Sequence, residues 1–343
     1  MIGVTFIMDP KKIQSPYELV NQATEVLKEA LKTDYLSALS ETLDNLQQRE
    51  VHVENGAPTP ETVQQLNQLY QQIELANLSK IELLALFQLL LIRWQKVDRP
   101  NANLQATPGS IGLVLSLLIN LFKTDQSQPL VITDPVAGTG NLLFNIAQQF
   151  AFEKRELSLF GIDNNDDLLA LAAVLADYLH QDVTLMHQDA LTPWLLPTRP
   201  DVVVADLPVG YYPVDSRTEK FDLRAKSGHS FAHYLLIEQS MKTLAPGGLG
   251  LFIVPANLFE QSEATDLLHW VTTKVYLQGL LSLPHDVFQD NAAQKAILVL
   301  QNHGGQAKQA KNVMMANVPD LNNITELRNF AGQLKSWSQE NHI

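Results

Sequence analysis

Beyond Arg99-Pro100 the sequence keeps one rhythm: a short run of aliphatic and β-branched residues, a turn, a helix-length segment, then another short run. That order is the signature of a parallel sheet wrapped by crossovers, because parallel neighbours need a connection long enough to hold a helix. Strands are predicted at Leu130–Thr133, Ser158–Ile162, Val183–Met186, Asp201–Ala205, Leu249–Val254, Gln278–Ser282 and Ala296–Leu300. Helices are predicted at Asn141–Gln149, Asp166–Tyr178, Phe231–Leu244 and Glu263–Thr273, with Gly247-Gly248 turning the chain out of the third. Seven strands with helices on both faces make a complete doubly wound α/β sheet.

The first 98 residues read differently. Val20, Leu27, Leu31, Leu39, Leu43 and Leu46 recur at helical spacing through residues 17–50, which predicts one long amphipathic helix. Asn55-Gly56 with Pro58 and Pro60 marks a turn, and Pro60 suits the first position of a second helix running to about Ala76. Ser79-Lys80-Ile81-Glu82 fits a capping box, and the apolar helix behind it runs to Trp94. Residues 1–98 are expected to form an all-α domain, residues 99–312 the α/β domain, and residues 313–343 a polar tail with a helix at Ile324–Trp337.

The apolar stretches Leu83–Ile92 and Ile111–Phe122 are shorter than the ~18 residues that cross a bilayer. Residues 1–12 lack the basic start and apolar core of an export signal, so a cytoplasmic protein without membrane contact is expected. With no cysteine, thiolate catalysis, Cys-ligated zinc and iron–sulfur clusters are excluded. The nine histidines show no metal-ligand spacing, and no metal site is expected. A net charge of −13, from 24 Lys+Arg against 37 Asp+Glu, repels a polyanion at long range.

Asp134-Pro135-Val136-Ala137-Gly138-Thr139-Gly140-Asn141 stands directly between a predicted strand and a predicted helix. Glycines there let the backbone turn sharply and let a ligand lie against bare main chain, facing the free amides of a helix N-terminus. A tight strand-to-helix turn alone would select the same glycines. The dinucleotide fingerprint needs a further glycine three positions after Gly140, where Leu143 stands, so a nicotinamide cofactor is disfavoured. The next strand ends at Asp163, 23 residues beyond Gly140, the distance at which an acid meets a ribose diol across one βαβ unit. Asp189 follows the third strand and Asp206 the fourth, so four successive strands present an acid at the carboxyl edge, where open α/β sheets bind ligands.

Together these residues resemble the class I S-adenosylmethionine-dependent methyltransferases. Among them the resemblance is to the N6-adenine DNA methylase-like proteins, which include the modification subunits of type I restriction systems. It extends from Thr107 to Gln301 and rests on Thr107-Pro108, the Asp134–Gly140 turn, Asp206-Leu207-Pro208 and Phe231-Ala232-His233-Tyr234. Leu244-Ala245-Pro246-Gly247-Gly248, Ile253-Val254-Pro255 and Leu283-Pro284 with Val287-Phe288 follow the family as well. The loop Asp206-Leu207-Pro208-Val209-Gly210-Tyr211-Tyr212-Pro213 is most similar to a subgroup found in Gram-positive bacteria. The resemblance implies a Rossmann-like class I methyltransferase fold and S-adenosyl-L-methionine as cofactor. It implies cofactor contacts from Thr107, Asp134, Pro135, Ala137, Gly138, Gly140, Asn141 and Asp206. Asp163 beside Asn164 would hold the ribose, and Asp189 beside Ala190 the adenine.

In amino-methylating members, the first loop side chain and the following carbonyl accept the two hydrogens of an exocyclic amine, and an aromatic ring in the fourth position stacks the extruded base. Asp206, the Leu207 carbonyl and Pro208 match the first part, but the fourth position is Val209. Tyr211 or Tyr212 is left to supply the ring if Gly210 lets the loop fold back; Tyr211 is the candidate, against the alternative that both tyrosines pack beneath the loop. The implied activity is methyl transfer to an exocyclic amine, with N6 of adenine in DNA leading. RNA and protein amides offer the same planar acceptor, and Val209 keeps open a cofactor-binding interaction protein with weak or absent transfer.

No segment for target recognition fits between the loop and the last strand, so a partner protein is expected to supply it if DNA is the acceptor. Arg217, Lys220, Arg224 and Lys226 stand among Asp215, Glu219 and Asp222, which reads as a solvated mixed-charge loop against the alternative of a phosphate contact, and Lys295, Lys308 and Lys311 form a more basic run. Residues 1–100 hold 9 basic and 13 acidic residues, which favours association with a partner, or as a homodimer, over DNA contact by the helical domain.

Overall fold

The computed structural model describes residues 10–260, 264–284 and 294–343, so the expected roles of Val287 and Phe288 lie outside the described residues. The N-terminal helices are α1 (Pro10–Leu31), α2 (Tyr35–Gln48), α3 (Pro60–Tyr70) and α4 (Lys80–Asp98). The single helix expected over residues 17–50 is thus two. Lys32 takes a left-handed φ of 54°, and Asp34 starts α2 by accepting the Ser37 amide at 2.9 Å. An apolar stripe continues across such a break because both helices bury the same side, so periodicity alone misses it. The Ser79–Glu82 capping box is formed, with the Ser79 amide donating to Glu82 at 2.8 Å.

The strands are β1 (Leu130–Asp134), β2 (Leu157–Asp163), β3 (Thr184–His187), β4 (Val202–Asp206), β5 (Leu249–Pro255), β6 (Tyr276–Ser282), β7 (Lys295–Gln301) and β8 (Met314–Asn317). They form one sheet in the order β3-β2-β1-β4-β5-β7-β6-β8. The expected seven strands gain an eighth, β8, a four-residue edge strand with Met315 70% exposed, too short and too mixed to announce itself. One strand departs from the expected parallel sheet. β7 pairs antiparallel with both β5 and β6, and a hydrophobic run carries no mark of its direction.

The remaining helices are α5 (Gly109–Phe122), α6 (Asn141–Phe152), α7 (Asp166–Tyr178), α8 (Ala232–Thr243), α9 (Ala264–Thr273) and α10 (Ile324–Asn341). Val202 and Val204 of β4 face one core, Val203 and Ala205 the other, which is why the central strands read as unbroken aliphatic runs. The first core is shared: Leu86, Phe87 and Leu90 of α4 pack with α5, α6 and α7 over β1. α10 also joins it through Phe330 and Leu334, so the residues expected as a tail are packed on the sheet's helical layer. No helix among the described residues is long and apolar enough to cross a membrane.

Candidate active site

The order of the sheet reverses between β1 and β4, and ligands of such sheets bind in the crevice above that switch point. β1, β2, β3 and β4 run parallel, so their carboxyl ends share one edge. Asp134 closes β1, Asp163 closes β2, Asp206 closes β4, and Asp189 lies two residues past His187 at the end of β3.

Asp134 is buried at 2% exposure and accepts the Val136 amide at 3.0 Å. Burial pushes its pKa well above the usual carboxylate range, and the Asp163 and Asp206 charges push the same way against that one hydrogen bond. Pro135 and Ala137 are buried behind it, and the Ala137 amide bonds the Ile162 carbonyl at 2.9 Å, tying the turn to β2. Gly138 (φ 52°) and Gly140 (φ 73°) both use left-handed backbone. A side-chain carbon on Gly140 would also stand 2.5 Å from the Phe144 ring, whereas one on Gly138 would meet no atom within 4 Å. Gly140 therefore serves packing as well as the turn, and Gly138 leaves open space.

The Gly138 amide donates to Asp163 at 2.8 Å and the Asn165 amide to its other oxygen at 2.9 Å. Burial raises the Asp163 pKa against these backbone bonds. Asn164 is exposed, with its carbonyl 3.1 Å from His187 Nε2. Asp189 accepts the Leu191 amide at 3.0 Å, the Tyr212 hydroxyl at 2.6 Å and the Arg217 guanidinium. Burial alone would raise its pKa, but these donors hold it below the ordinary value. Ala190 is buried beside it.

Thr107, Asn141 and Asp206 form a linked set. Thr107 Oγ1 donates to Asp206 Oδ2 at 3.0 Å, and Asn141 Nδ2 donates to the Thr107 carbonyl at 2.5 Å and to Gln88 at 2.8 Å. Asp206 Oδ1 meets the Lys295 ammonium at 2.7 Å. Leu207 is buried and its amide bonds the Ile253 carbonyl at 3.1 Å; Pro208 is half-buried at the surface of the loop.

Beyond Pro208 the chain folds back on itself. Gly210 takes φ 132°, its carbonyl accepts the Ala232 amide at 2.9 Å, and the Tyr212 amide donates to Ser230 at 2.8 Å. This bridge separates the two tyrosines. Tyr212 is buried on Asp189, while Tyr211 is 62% exposed and stacks on Phe231, with ring centroids 4.8 Å apart and planes 18° apart. Asn103 clamps the loop from outside: its side-chain oxygen accepts the Val209 amide at 2.8 Å and its side-chain amide donates to the Val209 carbonyl at 2.8 Å.

Sequence reasoning missed Asn103, saw Lys295 only as part of a basic run, took Arg217 for a solvated residue, and left Tyr212 undecided. All four act across the fold, between 23 and 106 residues from their partners in sequence, and no local spacing announces them. Among the described residues no group of three or more His, Asp or Glu could hold a metal ion. A surface concavity of about 470 Å³ beside His180 and Asp182 lies just ahead of β3, at the opposite edge from the four acids.

Residues 105–335 match the family described as N-6 DNA Methylase, and residues 14–93 match a YtxK N-terminal helical domain. The protein YtxK of Bacillus subtilis is 37% identical over 335 residues, covering 96% of this chain and 98% of the relative. A crystal structure from Listeria monocytogenes, assigned to the class I S-adenosylmethionine-dependent methyltransferases, is 33% identical with a TM-score of 0.87, covering 96% of this chain and 99% of that one. The methyltransferase subunit of a type I restriction-modification system from Streptococcus thermophilus shares the fold at 16% identity and a TM-score of 0.66, covering 95% of this chain and 74% of the subunit.

Proposed function

We propose that this chain, which belongs to the N-6 DNA methylase family, methylates an exocyclic amine, with N6 of adenine in DNA as the leading acceptor. Family and fold support a methyltransferase whose cofactor is S-adenosyl-L-methionine. The residues of the crevice suit that cofactor. The space at Gly138 lets a ligand approach bare backbone, and the bonds from Gly138 and Asn165 leave Asp163 acceptor capacity for a ribose diol. Thr107, Asp134, Pro135, Ala137, Gly140, Asn141, Asn164, Asp189 and Ala190 complete the proposed lining.

The observation that carries the acceptor reading is the combination of Asp206, held from both oxygens at the mouth of β4, with Tyr211 presented on Phe231 five residues along. When bound, the cofactor supplies an electrophilic methyl on a sulfonium leaving group. The protein's share is alignment: Asp206 and the Leu207 carbonyl accept the amine hydrogens and aim the nitrogen lone pair, while Pro208, directly after that carbonyl, stiffens the loop. Tyr211, exposed on Phe231, offers its ring to a planar base in place of the ring absent at Val209. The reading includes a helical domain over residues 1–98 that associates with a partner or with itself, a transfer domain over 99–312, and a C-terminal segment from 313. It also includes a cytoplasmic location and a partner protein that selects the DNA target. A second reading, a cofactor-binding protein with weak transfer, is favoured by Val209 in the loop's fourth position.

Radiolabel transfer from the cofactor into DNA, RNA and protein fractions of cells lacking this chain tests both. Label recovered as N6-methyladenine in DNA is expected. Label confined to RNA or protein refutes the DNA acceptor, and cofactor binding without any transfer supports the second reading.

A further inference from the structure

Lys295 opens β7, and the antiparallel register sets it opposite Pro255 at the end of β5. That position is at the carboxyl edge of the parallel strands, beside Asp206. The two side chains are only 22% and 15% exposed, and the ammonium lies 2.7 Å from Asp206 Oδ1. Thr107 Oγ1 holds the other oxygen. Each carboxylate oxygen has two lone pairs, so Asp206 keeps acceptor capacity on both oxygens for an amine hydrogen. What Asp206 does not keep, with an ammonium against it, is an uncompensated negative charge.

We infer that Lys295 is a positioning residue of the transfer site that also sets its charge: it fixes the Asp206 carboxylate in one orientation and cancels its charge where sulfonium and acceptor meet. This rests on the proposed function insofar as Asp206 faces the transferred methyl. An unpaired carboxylate there would favour the cationic cofactor over its neutral product by Coulomb attraction, and so would stabilise the state before transfer. The lysine removes that preference and leaves the hydrogen-bonding geometry. The partly buried setting matters, because an exposed pair of the same length would be screened to little effect.

Calorimetry on the full chain with S-adenosylmethionine (cationic at sulfur) and S-adenosylhomocysteine (neutral) reads this charge directly, as the ratio of the two affinities. Lys295→Met should raise the preference for the cation by about three- to tenfold. Asp206→Asn, which removes the carboxylate charge and keeps the lysine, should shift the ratio the other way, and Lys295→Arg should retain the wild-type ratio. A residue acting only on folding would weaken both ligands together. An unchanged ratio in Lys295→Met, or in Lys295→Gln should the methionine variant not fold, overturns the inference. If wild type binds both ligands but the two charge variants shift the ratio in the same direction, the inference again fails while cofactor binding stands. Absence of binding by the wild-type chain overturns the cofactor site itself.

Discussion

His233 sits in the first turn of α8 with 0% exposure, and neither ring nitrogen has a hydrogen-bond partner among the described residues. It packs against Tyr234, with ring centroids 4.7 Å apart, and against Phe231, 5.3 Å apart, the ring on which Tyr211 stacks. Burial alone lowers its pKa from the ordinary 6.5 to about 4. Between those values the unfolded chain binds a proton that the folded chain refuses, so this group's contribution to stability is lost as pH falls through the window. From about pH 7 to about pH 4.5 the loss integrates to about 2.4 kcal/mol, at about 1.4 kcal/mol per pKa unit. His233→Phe removes the titration and keeps a ring of similar size in an apolar site. Urea unfolding of both proteins at the two pH values isolates the term, because other titrating groups act equally in each. Wild type should lose about 2.4 kcal/mol more than the variant on acidification. Equal losses would mean that the imidazole finds a partner or water when folded and that its burial does not hold it neutral.

Asp163→Ala should weaken S-adenosylhomocysteine binding by about ten- to a hundredfold in calorimetry, since it removes a charged acceptor worth roughly 1.5–3 kcal/mol. Unchanged affinity would remove Asp163 from the cofactor site. Asn103→Ala breaks both hydrogen bonds to Val209 and should lower the rate of radiolabel transfer by about tenfold while leaving S-adenosylhomocysteine affinity unchanged, because it touches the loop alone. A parallel loss of affinity would place Asn103 on the cofactor side instead.

What the sequence made legible is what depends on nearest neighbours along the chain. The turn from Asp134 to Asn141 announces itself because its glycines answer a local backbone demand, positive φ at Gly138 and Gly140. Asp163 and Asp206 were readable as strand ends, since the aliphatic runs of β2 and β4 stop at them. The direction of β7 was not readable, and with it went Lys295, which reaches the acid edge only because that strand runs backwards. The choice between Tyr211 and Tyr212 was equally closed to sequence. Two adjacent tyrosines are alike in pattern, and their separation is decided by the backbone bridge from residues 210 and 212 to 230 and 232. Arg217 looked like one charge in a solvated mixed-charge loop until the fold laid that loop over Asp189.

The same long-range pairs bear on the charge of −13, which opposes nucleic acid. A crevice holding four bare carboxylates would attract a cationic cofactor and repel acceptor phosphates within about a Debye length, ~10 Å in ordinary salt. The crevice is not so charged. Asp189 is paired with Arg217 and Asp206 with Lys295, and burial favours the neutral form of Asp134. Asp163 remains, the acid proposed for the ribose, held by the Gly138 and Asn165 amides and by no cationic side chain among the bonds described. Under the proposed reading the conflict between cofactor and polyanion is therefore settled locally, at the strand ends. The acidic excess left elsewhere on the chain still opposes an unaided grip on DNA, and it is that remainder which the proposed partner would answer.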